Sequence, residues 1–324
     1  MNTRLRRILV AVKDPKRAPR GLMRKAAALA RSSGASIEIF HSIVGRDISQ
    51  QVKRTGANQT TEEAMDSIAA EASRGLERLA RPLAAQRLRV SVTASWDYPP
   101  HEAVIRHALN SHADLVVAAV QPHHIAGRLL LANTDWELIR HCPLPVLVVK
   151  SSGDYVSPAL VAAVDPFHAH AKPTGLDRRI LVEGAALGRF LKGKLHVFHA
   201  YMPLPLIAPS PGMAIAIEMP PEIEEAHTKQ VENAFDRLAE RSQIPDVRRH
   251  LHMGLVIDEL RAVVKRTRAK IVVMGAVSRS ALRRAFIGNT AESVLDDLDC
   301  DVLVVKPADF KSGVSRRSFR HGGR

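Results

Sequence analysis

The chain has 324 residues, of which 46% are hydrophobic and 4% aromatic, and it carries a formal net charge of +14. That length suits two ordinary domains, the apolar content excludes wholesale disorder, and no apolar run is long enough to span a bilayer, so no membrane partner is assigned. The charge raises nucleic acid as a partner. However, the basic residues are spread over many predicted helices, aromatic stacking platforms are scarce and no zinc-finger spacing occurs, so no specific nucleic-acid reading follows.

The N-terminal stretch MNTRLRRILVAVKDP is basic, but its apolar run of five residues leads straight into Lys13-Asp14-Pro15, which reads as a strand and not as a signal peptide. Strands are expected near 7–13, 36–42, 88–94, 114–120 and 145–150, with helices near 20–33, 62–86, 101–110 and 134–141. Ser151–Tyr155 (SSGDY) is a joint. After it the same unit is written again with a period of about 150 residues. LVAVKDP (9–15) matches LVAAVDP (160–166), and SIEIFHSI (36–43) matches KLHVFHAY (194–201). DLVVAAV (114–120) matches KIVVMGAV (270–277), ANTDWELI (132–139) matches GNTAESVL (288–295), and PVLVVK (145–150) matches DVLVVK (301–306). Second-unit strands are expected near 159–164, 194–200, 247–253, 270–276 and 301–306, with helices near 174–191, 222–242, 255–267 and 289–298.

Strand–helix alternation means right-handed crossovers and a parallel sheet buried on both faces, as the continuous Val/Leu/Ile runs also imply. The fold class is therefore α/β: two tandem doubly wound five-stranded domains. The domains are 1–150 and 151–310, followed by a disordered basic tail, 311–324. The last strand of each unit is an apolar edge that needs cover. The two edges are expected to meet across a pseudo-two-fold axis as an internal dimer, and a further homodimer stays open. Cys142 and Cys300 occupy matching places before apolar strands and read as buried free thiols of a cytoplasmic protein.

A doubly wound sheet binds ligands beyond the carboxyl ends of its strands, where strand order reverses. In the second unit that places Asp165 and Pro166 opposite Gly275 and the residues after it. Ile271–Met274 is a buried strand ended by Gly275. Nine residues separate Ser278 from Gly288, and Asn289 follows as a helix N-cap with Glu292 at the third helical position. Backbone N–H groups at a helix start, small residues, and Arg279, Arg283 and Arg284 nearby suit an anion such as phosphate. As a solvated basic loop, those arginines need no function.

This spacing resembles the universal stress protein family, whose phosphate motif runs G-x-x-G, nine residues, then G followed by Ser, Thr or Asn. The likeness covers both repeats, and the phrases around Asn133-Thr134 and Gly288-Asn289-Thr290 look most like E-type tandem members. The resemblance implies an adenine-nucleotide-binding fold and a nucleotide partner, ATP with Mg²⁺ or Mn²⁺. It carries Asp165 to the ribose and phosphates, with Pro166 beside it. The backbone at His199–Ala200 falls where adenine is read, and Gly275, Ser278, Gly288, Asn289 and Thr290 fall on the phosphate cradle. Ser278 stands where the family has a second glycine. In the first unit Ala119 and Ala132 replace both outer glycines, Pro122 removes a donor and Trp136 adds bulk, so no ATP is expected there although Asp14 and Asn133-Thr134 remain.

No nucleophile–base pair and no Walker lysine occurs, which leaves at most a slow ATPase used as a sensor in stress resistance. The alternative is a non-catalytic scaffold with decayed nucleotide sites that holds an apolar small molecule or a protein partner. The proline-rich apolar insertion Met202–Pro220 favours that alternative, either as a packed loop or as a lid. Among 15 histidines, pairs such as His168/His170, His250/His252, His196/His199 and His123/His124 leave zinc open, but no Cys, Asp or Glu joins them at a ligand spacing.

Overall fold

The computed structural model describes residues 4–44, 60–120, 123–125, 128–130, 133–166, 175–202, 206–210, 213–217, 220–276 and 297–316; at 61, 123–125, 128–130, 133, 206–210 and 213–217 it describes backbone only. The first unit runs β1 (Arg7–Ala11), α1 (Arg20–Ser33), β2 (Ser36–Ile43), α2 (Thr61–Ala84), β3 (Val90–Trp96), α3 (Pro100–Asn110), β4 (Leu115–Ala119), a ribbon β5–β6 (His123–Ile125, Arg128–Leu130), α4 (Asn133–His141) and β7 (Val146–Val149). The second runs β8 (Ala159–Ala163), α5 (Leu176–Phe190), β9 (Lys194–Tyr201), a ribbon β10–β11 (Leu206–Ser210, Met213–Ile217), α6 (Pro221–Arg241), β12 (Arg249–Met253), α7 (Val256–Thr267), β13 (Ile271–Gly275) and β14 (Asp301–Val305).

Local signals set these elements. Helix α1 stops at Gly34, whose φ of 74° is left-handed and whose N–H donates to Ala30. Helix α2 starts with a reciprocal capping box between Thr60 and Glu63. The strands alternate faces: Ile8 and Val10 of β1 join one core while Leu9 joins the other, and Leu303 and Val302 of β14 divide likewise. Helices α1, α2, α5 and α6 cover one face of the sheet, and α3, α4 and α7 cover the other. The predicted helix at 289–298 lies almost wholly outside the described residues.

All ten long strands form one sheet in the order β12-β9-β8-β13-β14-β7-β4-β1-β2-β3. Within this ten-stranded sheet the strands of each unit pair in parallel, and the units join through antiparallel β14–β7, Leu303 opposite Leu147. The two apolar edges cover each other, as expected. At the amino end of β14 the seam carries a buried carboxylate, Asp301, which is completely enclosed. Its Oδ2 accepts hydrogen bonds from Lys25 Nζ of α1 and from the Tyr155 hydroxyl, each at 2.5 Å. Its Oδ1 accepts from the backbone N–H groups of Lys150 and Ser151, both at 2.9 Å. The joint between the units is thus tied down through Ser151 and Tyr155.

Two expectations change. Residues 123–125 pair antiparallel with 128–130, where no strand is expected, and 206–210 with 213–217 inside the insertion read as a packed loop or a lid. Three-residue strands, and strands diluted by Pro209 and alanines, carry too little β-branched pattern to be seen in sequence. The tail does not come free at 311 either. Ser312 Oγ donates to the His141 carbonyl, and Arg106 of α3 donates to Ser315, so 312–316 lie on the first unit. Cys142 and Cys300 are buried and unpaired, and burial pushes both thiols up to about 12.

Candidate functional site

Strand order reverses between β8 and β13 in the second unit and between β1 and β4 in the first, and because β14 and β7 are antiparallel the two mouths open on opposite edges of the sheet. Val164 ends β8. Its N–H donates to the Phe198 carbonyl, and its own carbonyl accepts from His199 Nδ1 at 3.0 Å. In the first unit the Val12 N–H donates to Phe40, and His41 Nδ1 donates to the Val12 carbonyl at 2.9 Å. Each histidine is thereby fixed as the Nδ1–H tautomer and pins a strand end.

These matching bonds correct the alignment of the repeats by one residue. Val12 is equivalent to Val164, so Lys13, and not Asp14, stands where the second unit has Asp165. The letters Asp-Pro occur in both units but are out of register by one. Asp14 instead turns back to accept from the N–H of Lys16 at 2.8 Å. The strand-end charge is therefore opposite in the two halves.

The consequence is visible in the first unit. Lys13 Nζ pairs at 2.6 Å with Asp135, a buried carboxylate in the first turn of α4. A helix start is the natural seat of an anion, and here the chain supplies its own. In the second unit Asp165 replaces the lysine, and Ala291, outside the described residues, replaces Asp135 in the repeat. Both members of the plug are gone from that sequence.

Asp165 itself is buried, and its N–H donates to Asp177 Oδ1 of α5 at 3.0 Å. Two carboxylates thus approach the end of β8. Pro166 opens into a cleft of about 440 Å³ lined also by Gln230, Asn233, Ala234 and Arg237. On α6 Val231, Phe235 and Ala239 face the core, which turns Gln230, Asn233 and Arg237 towards the cleft. Sequence reasoning missed these three residues, although the helical period would have put them on one face.

Gly275 ends β13. A Cβ there would lie 2.6 Å from Leu176 Cδ2 and 3.3 Å from Ile180 Cδ1, so the close approach of α5 favours a glycine whatever the ligand. Beyond it, Ala276 is clamped from two sides: its N–H donates to Val305, and its carbonyl accepts from Lys306 Nζ at 2.9 Å. Lys306 is buried, stands 4.8 Å over the Phe310 ring, and has its pKa pulled down to about 8, chiefly by burial. The structure thus holds the first residue of the expected phosphate loop. Ala200 lies buried on β9 opposite His252 of β12. Ser278, Gly288, Asn289, Thr290, Arg279, Arg283 and Arg284 lie outside the described residues, as do His168 and His170.

The zinc reading gains nothing. His199 serves Val164, His196 Nδ1 and His250 Nε2 share a hydrogen bond of 3.0 Å, and His252 pairs with Glu259. Among the described residues no group of three or more candidate ligands forms.

Comparison with known proteins decides the family: the model of the universal stress protein family matches residues 4–150 and again 176–306. The chain belongs to the universal stress protein family. Universal stress protein E of Photorhabdus laumondii is 26% identical over 312 residues, covering 94% of this chain and 96% of that one. Universal stress protein E of Escherichia coli K12 is 25% identical over 316 residues, with the same coverage. A solved putative universal stress protein from Pseudomonas aeruginosa UCBPP-PA14 superposes with a TM-score of 0.72 at 24% identity, over 95% of each chain. The universal stress protein unit therefore occurs twice along the chain, and the E-type relatives match over 96% of their own length.

Proposed function

We propose that this universal stress protein is a cytoplasmic sensor. On this reading its second unit (151–310) binds ATP or a related adenine nucleotide with Mg²⁺ or Mn²⁺, and its first (1–150) is a structural partner. The observation that carries the reading is the Lys13–Asp135 pair, which fills the anion seat of the first unit, while the second unit replaces both members. The residues at the second mouth fit the ligand. Arg237, Gln230 and Asn233 line a cleft of suitable size beside Pro166. Asp165 and Asp177 supply the hard oxygen donors that Mg²⁺ or Mn²⁺ prefers. Gly288, Asn289 and Thr290 are assigned to the phosphates by their sequence alone.

Calorimetric titration of the whole chain with ATP and Mg²⁺ or Mn²⁺ tests this. One site per chain is expected, lost in Gly288→Trp and weakened in Arg237→Ala. No heat of binding, or an unchanged titration in Gly288→Trp, rejects it. A second reading, an apolar metabolite or partner at the same edge, draws on exposed Met202, Met253 and Leu255 at the ends of β9 and β12. Native mass spectrometry of freshly purified protein separates the two by the mass that co-purifies.

A further inference from the structure

A second cleft lies on the first unit, between α1 and α2, and shares no lining residue with the cleft at Pro166. It encloses about 630 Å³ between the two helices and the joint at Asp154 and Tyr155. Its floor is apolar: Met23 and Ala27 from α1, Leu79 and Leu83 from α2. Its rim is basic. Arg20, Arg24, Arg31 and Arg78 are all exposed there, against the single carboxylate of Asp154.

The arginines are not equivalent. Arg24 pairs with Asp154 at 3.1 Å, and Arg31 donates to Gln86 Oε1 at 2.5 Å, closing one end of the cleft. Arg20 and Arg78 have no hydrogen bond or ion pair among the described residues. Both helices lead from one strand of the same parallel sheet to the next, so they run the same way. At about 1.5 Å per residue, counting back from the Arg31–Gln86 tie brings Arg24 and Arg78 to nearly the same level, with Arg20 one turn beyond. The cleft is thus graded: three guanidiniums at one end, an apolar trough in the middle, and a closed far end.

That grading selects the occupant. The floor side chains Met23, Ala27 and Leu83 are only 8%, 3% and 3% exposed, so the trough offers too little apolar area to seat the face of a partner helix. A single alkyl chain fits such a trough, and the guanidinium fork matches a carboxylate. We propose that this cleft binds a free single-chain anionic amphiphile, a long-chain carboxylate, with its head at Arg20 and Arg78 and its tail along Ala27, Ala28 and Leu83.

The test is calorimetric titration of the full chain, below the micelle concentration, with dodecanoate, dodecan-1-ol and dodecyltrimethylammonium. Dodecanoate is expected to bind one per chain, at least tenfold tighter than the other two. Octanoate is expected to bind at least tenfold more weakly than dodecanoate, because four methylenes leave the trough. The double variant Arg20→Glu/Arg78→Glu, at exposed positions, should weaken dodecanoate at least tenfold, and Ala28→Trp should fill the trough and abolish binding. Circular dichroism melts check that both variants fold; if Ala28→Trp does not, the arginine variant decides alone. Equal affinity for all three head groups, or unchanged binding in the arginine variant, overturns the proposal. So does binding to phosphatidylglycerol vesicles without binding of monomeric dodecanoate.

Discussion

Replacing Asp301 by asparagine should cost more stability than removing the lysine it neutralises. Asp301 and Lys25 are both fully buried and meet at 2.5 Å across the seam between units. In Asp301→Asn the backbone donors of Lys150 and Ser151 keep an oxygen, but an amide N–H₂ now faces Lys25 and the Tyr155 hydroxyl. The ammonium loses its buried counter-charge and keeps the carbonyl and hydroxyl of Ser151, at 2.6 and 2.7 Å, with the Tyr155 ring 5.1 Å away. Leaving one partner of a buried pair alone costs about 3–5 kcal/mol. In Lys25→Met the carboxylate still accepts from Lys150, Ser151 and Tyr155, so a loss of about 1–3 kcal/mol is expected. The double variant should cost less than the sum of the two by about 0.5–3 kcal/mol. Burial already lowers the Lys25 pKa, with Asp301 opposing it. Without Asp301 it falls further, so the unfolded chain binds a proton that the folded chain refuses. The deficit of Asp301→Asn should therefore shrink as pH rises towards the ordinary lysine range. Urea unfolding followed by circular dichroism measures all of this. Lys25→Met as costly as Asp301→Asn, or a strictly additive double variant, would refute the reasoning.

Three further outcomes are expected. Asp135→Ala should destabilise by about 1–3 kcal/mol, because Lys13 loses its partner at a buried helix start, while second-unit nucleotide titration stays unchanged; urea midpoints and calorimetry check the two parts. Gly275→Ala should cost about 1–3 kcal/mol through the clash with Leu176, and in a double-mutant cycle its cost should be smaller in a Leu176→Ala background than in the parent. His250 is held down to about 4 by burial, with His196, Arg266 and His252 adding to the effect. The unfolded chain takes up that proton near 6.5 and the folded chain only near 4, so stability should fall as pH drops through this window. A pH series of urea midpoints should show a smaller fall in His250→Gln.

Much of the architecture was legible because its signals are local. Continuous apolar runs mark doubly covered strands, Gly34 and the Thr60–Glu63 box mark helix ends, and five repeated blocks reveal the duplication. Local signals also misled. The Asp-Pro dipeptide aligned Asp14 with Asp165, and only the bonds of Val12 and Val164 to β2 and β9 exposed the shift of one residue. The ribbons were missed because a two-stranded element needs few residues and little pattern. Gly275 was read through its motif, but the atoms that favour a glycine there belong to α5.

By itself the sequence determined the fold class, the doubled unit and the edge at which a ligand would sit, because hydrophobic period and repetition survive in one dimension. The tertiary structure alone decided which charges meet. Lys25 finds Asp301 across 276 residues and Lys13 finds Asp135 across 122. Such pairs are set by strand order and helix layering, and a single string of letters does not encode them at any fixed spacing. The arginine-rimmed cleft was hidden for the same reason: its walls are two helices that become neighbours only when the sheet has formed.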